Sequence, residues 1–161
     1  MKITCLLFVF VLLFQLSQAQ ISFKVEDDIF SPDLSVKIGD DVFSPDLTVK
    51  IGSDVFSPDF SVGITANKNE ADFIISESNY ADFKIKADDD VFSPDLSIKA
   101  GDDVFSPDLS IIIKKSGTVD YIVYTEKDFI SMRDLVIALL PAIHHHTDYD
   151  NDELKDLFKD L

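Results

Sequence analysis

Cysteine is nearly missing from this chain. The 161 residues contain one cysteine, two methionines, five glycines and no tryptophan. The cysteine, Cys5, lies in an apolar N-terminal run. The rest of the chain therefore forms no disulfide of its own and must be held by burial, ladder hydrogen bonds or a bound ion. Positive charge is also scarce. Fourteen Lys and Arg face thirty Asp and Glu, giving a net charge of −16. That balance disfavours nucleic acid as a partner, because binding it needs a positive face, and disfavours anionic membrane surfaces for the same reason. Catalytic signatures are lacking too. There is no Gly-x-Ser-x-Gly, no metal-spaced His/Glu pair and no nucleophilic cysteine beyond residue 5. Paired carboxylates abound, but they recur in every repeat, which dilutes any claim to one acid/base pair. The expectation is a non-enzymatic protein.

Long apolar runs occur only at the start. Lys2, the run Ile3–Phe14 and the small-x-small triplet Ser17-Gln18-Ala19 predict a secretory signal peptide over 1–19. The run is too short and wrongly flanked for a membrane span. Secretion follows, extracellular or periplasmic, with a mature chain starting near Gln20. Loss of Lys2 takes the net charge from −16 to about −17.

What the chain does have is a period. Asp-Val-Phe-Ser-Pro-Asp recurs around Phe43, Phe56, Phe92 and Phe105, with Ile29 for Val before Phe30. The closing aspartates are Asp33, Asp46, Asp59, Asp72, Asp82, Asp95 and Asp108, at steps of 13, 13, 13, 10, 13 and 13. After each comes strict alternation, as in Leu34-Ser35-Val36-Lys37-Ile38, which predicts a strand with Leu, Val and Ile facing in and Ser and Lys facing out. Gly-Asp-Asp and Ser-Pro-Asp supply turns between strands. Thirteen residues cannot bury a core alone, but stacked copies can. The predicted fold is an all-β repeat, a β-solenoid of ~13-residue coils in which Phe, Leu and Val form columns. The alternative is an antiparallel β-meander. The repeat domain spans 20–125. Residues 126–161 form a C-terminal cap or tail. Two readings of 126–140 stay open: a helix over the open end, started by Thr125-Glu126-Lys127-Asp128, or a last β coil.

A solenoid would line up like charges. At one strand spacing each neighbouring carboxylate pair repels by roughly 1 kcal/mol in water. The column beside the glycines makes Asp40, Asp41, Asp54, Asp89, Asp90, Asp102 and Asp103 candidate calcium ligands, since Ca²⁺ takes six to eight oxygens. The bland alternative is that the aspartates cap turns by accepting backbone N–H groups, with the lysines Lys24, Lys37, Lys50, Lys86 and Lys99 offsetting their charge. The repeat lacks the glycine-rich nonapeptide of calcium rolls. His144-His145-His146 cannot all face one ion. Asp148-Tyr149-Asp150-Asn151-Asp152 starts like an EF-hand loop, but Glu153 stands where glycine is required. A polar linker and a last short helix, with Leu154, Leu157, Phe158 and Leu161 on one side, explain that segment more simply.

Tyr80-Ala81-Asp82-Phe83-Lys84-Ile85-Lys86 and Glu70-Ala71-Asp72-Phe73 resemble the units of small bacterial tandem-repeat proteins of unknown function, which read roughly Tyr-x-Ala-Asp-Leu-x-Val-Tyr with a period near thirteen. The Phe-Ser-Pro-Asp-Leu units match with Pro for Ala. The resemblance covers about residues 21 to 125. It implies tandem repetition and no activity. The functional expectation is therefore a secreted β-repeat module that binds a protein or polysaccharide surface or serves a structural role, with self-association allowed by its regular faces. The other expectation is a calcium-dependent surface or matrix protein built on the Asp columns.

Overall fold

The computed structural model describes residues 20–147 and 152–159. Residues 1–19, where a signal peptide is expected, and most of the EF-hand-like stretch lie outside these residues. Nine strands are found among those described: β1 (Ile21–Glu26), β2 (Leu34–Gly39), β3 (Leu47–Gly52), β4 (Phe60–Ile64), β5 (Phe73–Ile75), β6 (Phe83–Asp88), β7 (Leu96–Gly101), β8 (Leu109–Lys114) and β9 (Tyr121–Thr125). Three helices follow: α1 (Met132–Ala138), α2 (Leu140–His146) and α3 (Asp152–Phe158).

Alternation holds as the sequence predicts. In β2 and β3 every Leu, Val and Ile is buried, and Ser, Thr and Lys face outward. The all-β repeat fold is found, and all strand pairs are parallel. The antiparallel meander is not found. What differs from coil-on-coil stacking is the choice of neighbours. Consecutive repeats do not pair. The strands close into a barrel in the order β1-β6-β2-β7-β3-β8-β4-β9-β5, then back to β1. The chain circles twice, and each unit steps over one strand that belongs to the other lap.

The register explains why the two laps mesh. Leu34 sits opposite Ile85 and Val36 opposite Leu96. Each strand is therefore offset by two residues from its neighbour, counted in repeat positions. An even offset keeps inward residues beside inward residues. The same offset recurs at every pairing except the β1–β5 seam, where Ile21 faces Phe73 without one. A two-residue step against a strand spacing of about 4.8 Å tilts the strands by roughly 50° and gives the backbone wall a radius of roughly 11 Å. Such a lumen is wider than wall side chains alone can fill.

The C-terminal helices fill it. Residues 135–140 and 142–143 are all apolar and at most 2% exposed. A helix apolar on every side must be buried on every side. Near one mouth, Lys127 donates to the Val25 carbonyl and Arg133 to the Ala87 carbonyl, both late in their strands. At the other, His146 packs on Phe60 and Phe158 packs on Phe23 and Phe83, near strand starts. The segment α1–α2 thus runs through the barrel. Of the two readings of 126–140 the helix is the one found, but it forms the core of the barrel and does not merely cover an end. Its N-cap is Ser131, whose hydroxyl accepts from the Asp134 N–H.

Candidate interaction surface

Every connection between strands crosses the outside of the intervening strand. Glycines mark three crossings. Gly39 belongs to the outward face of β2, and a Cβ there would lie 3.5 Å from the Asp89 Cβ. A Cβ on Gly52 would lie 3.4 Å from the Asp102 Cβ, and one on Gly63 would lie 3.2 Å from Val119. So the β6–β7 link lies over β2, the β7–β8 link over β3 and the β8–β9 link over β4. Four of the five repeat links are anchored by a buried valine, Val42, Val55, Val91 or Val104; the first has the half-buried Ile29 in its place.

The residue after that valine or isoleucine is the unexpected one. Phe30, Phe43, Phe56, Phe92 and Phe105 are 93–95% exposed. The expected buried Phe column does not exist; the inner wall is made by the strand residues and the central helix. Each of these phenylalanines precedes a serine, Ser31, Ser44, Ser57, Ser93 or Ser106, held at φ near +50°. A non-glycine residue there is strained by about 1 kcal/mol or more. Five copies keep the strained turn, and all five carry the exposed ring.

Two-lap winding gathers these rings. Phe30 lies on the link over β6, Phe92 over β2, Phe43 over β7, Phe105 over β3 and Phe56 over β8. Those five strands are consecutive around the barrel. The other links, over β9, β1 and β4, carry Asn69, Asn79 and Gly117 at the equivalent position. Two runs far apart in sequence therefore make one aromatic arc on one side of the molecule.

The candidate calcium ligands share these links. Asp41 and Asp89 both approach Gly39. Asp88, Asp89 and Asp90 have carboxylate oxygens within 4.8 Å of one another. The side-chain hydrogen bond with Asp88, then the charges of Asp88, Asp90 and Asp41, raise the Asp89 carboxyl above its ordinary range. Asp40, Asp102 and Asp103 line a cavity of about 330 Å³ whose floor includes Met132 and Arg133. Asp54 and Asp102 line a smaller one of about 190 Å³ beside Lys50. The seven residues are thus spread over several neighbouring crossings.

The closing aspartates do something else. Asp46 accepts from the Ser97 N–H and hydroxyl, Asp95 from those of Ser35, Asp108 from those of Thr48 and Asp120 from those of Ser61. They accept backbone N–H groups, but across the two laps and not within their own turns. The Ser61 hydroxyl and N–H hold the Asp120 carboxyl below the ordinary carboxylate range. As for the lysine column, Lys24 pairs with Glu26 at 3.2 Å. No ion pair involves Lys37, Lys50, Lys86 or Lys99 among the described residues.

Comparison with protein-family models, with curated proteins and with solved structures finds no match for this chain. Among the described residues no helix is long and apolar enough to cross a membrane.

Proposed function

We propose that this is a secreted, non-enzymatic β-repeat protein whose aromatic arc is a recognition surface. One observation carries the reading: five phenylalanines, each 93–95% exposed, sit on adjacent links. Aromatic side chains are enriched where proteins bind partners, and five separate rings at equivalent places on adjacent links present one contact repeatedly. The strain at the adjoining serines supports the same view, because strained backbone tends to persist where a function needs it. The rings add little to the fold, since a buried valine precedes four of them and the half-buried Ile29 precedes Phe30. Replacing all five with serine should leave the melting temperature within a few degrees of the wild type. A large fall would show that the rings hold the fold and would end this reading. Secretion is tested separately, by the N-terminal mass of protein recovered outside the cell; a chain retaining residues 1–19 there contradicts it.

A second reading rests on the crowding of Asp88, Asp89 and Asp90. A calcium ion there would offset the repulsion that raises Asp89. A ligand bound only by the native state stabilises it by mass action. Equal melting temperatures in millimolar calcium and in chelator would dismiss this alternative.

A further inference from the structure

Each arc phenylalanine is bracketed by carboxylates. The five links that carry them read Asp27-Asp28-Ile29-Phe30, Asp40-Asp41-Val42-Phe43, Ser53-Asp54-Val55-Phe56, Asp89-Asp90-Val91-Phe92 and Asp102-Asp103-Val104-Phe105, and each then runs Ser-Pro-Asp. None contains Lys or Arg. The closing aspartates are engaged with neighbouring strands, as the bonds of Asp46, Asp95 and Asp108 show. The Asp-Asp pairs ahead of Val make no ion pair among the described residues. Asp40, Asp41, Asp89, Asp90, Asp102 and Asp103 are exposed. The arc is therefore aromatic and anionic at once, repeated five times along one side.

That combination has one complementary chemistry. The face of an aromatic ring attracts a cation, and guanidinium stacks on it with its flat side. The carboxylates that precede the ring in its link, two in four links and Asp54 alone before Phe56, attract the same group. We propose that the arc binds a cationic polypeptide, an arginine-rich segment that lays successive guanidinium groups on successive Phe–Asp sites. This rests on the reading of the arc as a recognition surface and names its partner. A second copy of the chain is a poor occupant, because it would bring one acidic arc against another. An anionic lipid surface is repelled for the same reason. Five weak sites on a rigid barrel gain through multivalency what each lacks alone, since the later contacts form within a complex already made.

The test uses the chain from Gln20 onward and two synthetic 20-residue peptides, one alternating arginine with serine and one alternating lysine with serine. Binding is followed by fluorescence anisotropy at low and at physiological salt. The arginine peptide should bind several-fold more tightly than the lysine peptide. The variant with serine at positions 30, 43, 56, 92 and 105 should bind the arginine peptide at least tenfold more weakly and lose the preference for it. A variant with Asp40→Asn, Asp41→Asn, Asp102→Asn and Asp103→Asn should keep part of the preference, bind more weakly and show a shallower salt dependence. Equal binding of both peptides, unchanged in the phenylalanine variant, overturns the proposal and leaves only diffuse charge attraction. Zwitterionic vesicles, insoluble cellulose and self-association by sedimentation form the control arms. If the serine variant changes one of these and not arginine-peptide binding, the partner named here is wrong while the arc remains a binding surface. If it changes none, both readings fail.

Discussion

Asp46 and Ser97 stand 51 positions apart and are joined by four hydrogen bonds. The Ser97 N–H donates to the Asp46 carboxylate at 2.8 Å and its hydroxyl does so at 2.6 Å. The Asp46 N–H donates to the Ser97 carbonyl at 2.9 Å and to its hydroxyl at 3.0 Å. One lap of the chain is clasped to the other at this point, and the motif repeats around the barrel. Asp46→Ala should therefore lower stability by about 1 kcal/mol, the usual net contribution of such exposed bonds. Asp46→Asn, which keeps an acceptor, should cost less. Asp41→Ala, a carboxylate of the same repeat without a clasp, should be neutral or stabilising, because it removes a like charge facing Asp89. Urea midpoints order the three variants. Equal losses at 41 and 46 would remove the special role of the closing aspartate.

Glu126 ties the start of the helical segment to the barrel. Its carboxylate accepts from Lys68 at 2.6 Å, from the Ser76 hydroxyl at 2.7 Å and from the Glu77 N–H at 3.1 Å. These bonds, Lys68 first, lower its pKa from 4.5 to about 2. The unfolded chain thus takes up this proton at a higher pH than the folded one. The stabilisation is fully present above about pH 4.5 and is lost as pH falls toward 2. Glu126→Gln should flatten that part of the stability profile and leave the neutral-pH slope alone. Thermal melts between pH 2 and pH 6 decide it; parallel profiles for both proteins would contradict the assignment.

The strained serines yield a backbone prediction. Ser44 holds φ at 49°. Glycine reaches that region freely, whereas a β-branched residue is a true outlier there. Ser44→Gly should be nearly neutral, and Ser44→Val should destabilise by roughly 1–2 kcal/mol. Comparable stabilities for the two variants would contradict the strained turn.

The strands were legible because alternation and turn chemistry are local. Leu34-Ser35-Val36-Lys37-Ile38 states its own inward face. The partner of that strand was not legible, since any repeat satisfies the columns of any other. Only the two-residue offset, a property of the closed wall, selects Ile85 opposite Leu34. The phenylalanines misled for a related reason. Phe43 sits outside the alternating stretch, between two turns, where hydrophobicity alone does not decide burial. Val42 beside it is the anchor, 5% exposed against 93% for Phe43. The helix was legible from the apolar run to Leu140, but its start was not: Ser131 caps it, where the sequence offered Thr125-Glu126-Lys127-Asp128. Its place inside the barrel follows from apolar residues on every side of that run, at 135–140 and 142–143. A covering cap would need only one apolar face.

That placement is testable by truncation. A chain ending at Lys127 retains all nine strands. If the helices only covered an end, the truncated barrel would fold and melt somewhat lower. Because residues such as Leu135, Ile137 and Leu139 fill the lumen, removing them should leave a large apolar void and abolish cooperative unfolding. Near-native melting of the truncated chain would place the helix outside the core.

The strand order makes the last prediction one of parity. Each unit advances the chain by two positions around nine. A step of two visits every position only when the number of positions is odd. Deleting residues 33–45 joins Pro32 to Asp46, removes β2 and leaves eight strands. A uniform step of two then returns to its start after four strands, and the second lap has no gaps to enter. Closure would require one link to cross no strand or two, a departure from the single-strand crossing that every connection of the native barrel makes. Deleting residues 33–58 joins Pro32 to Asp59, removes β2 and β3 and leaves seven, an odd number. Its lumen is tighter around α1, so it should melt below the wild type, but it can close by the same rule. The larger deletion should therefore keep a cooperative β-sheet melt by circular dichroism, and the smaller one should not. In a stack of coils that touch only their sequence neighbours the order reverses, because losing one coil costs less than losing two. A single-unit deletion more stable than the double one would refute the interleaved barrel.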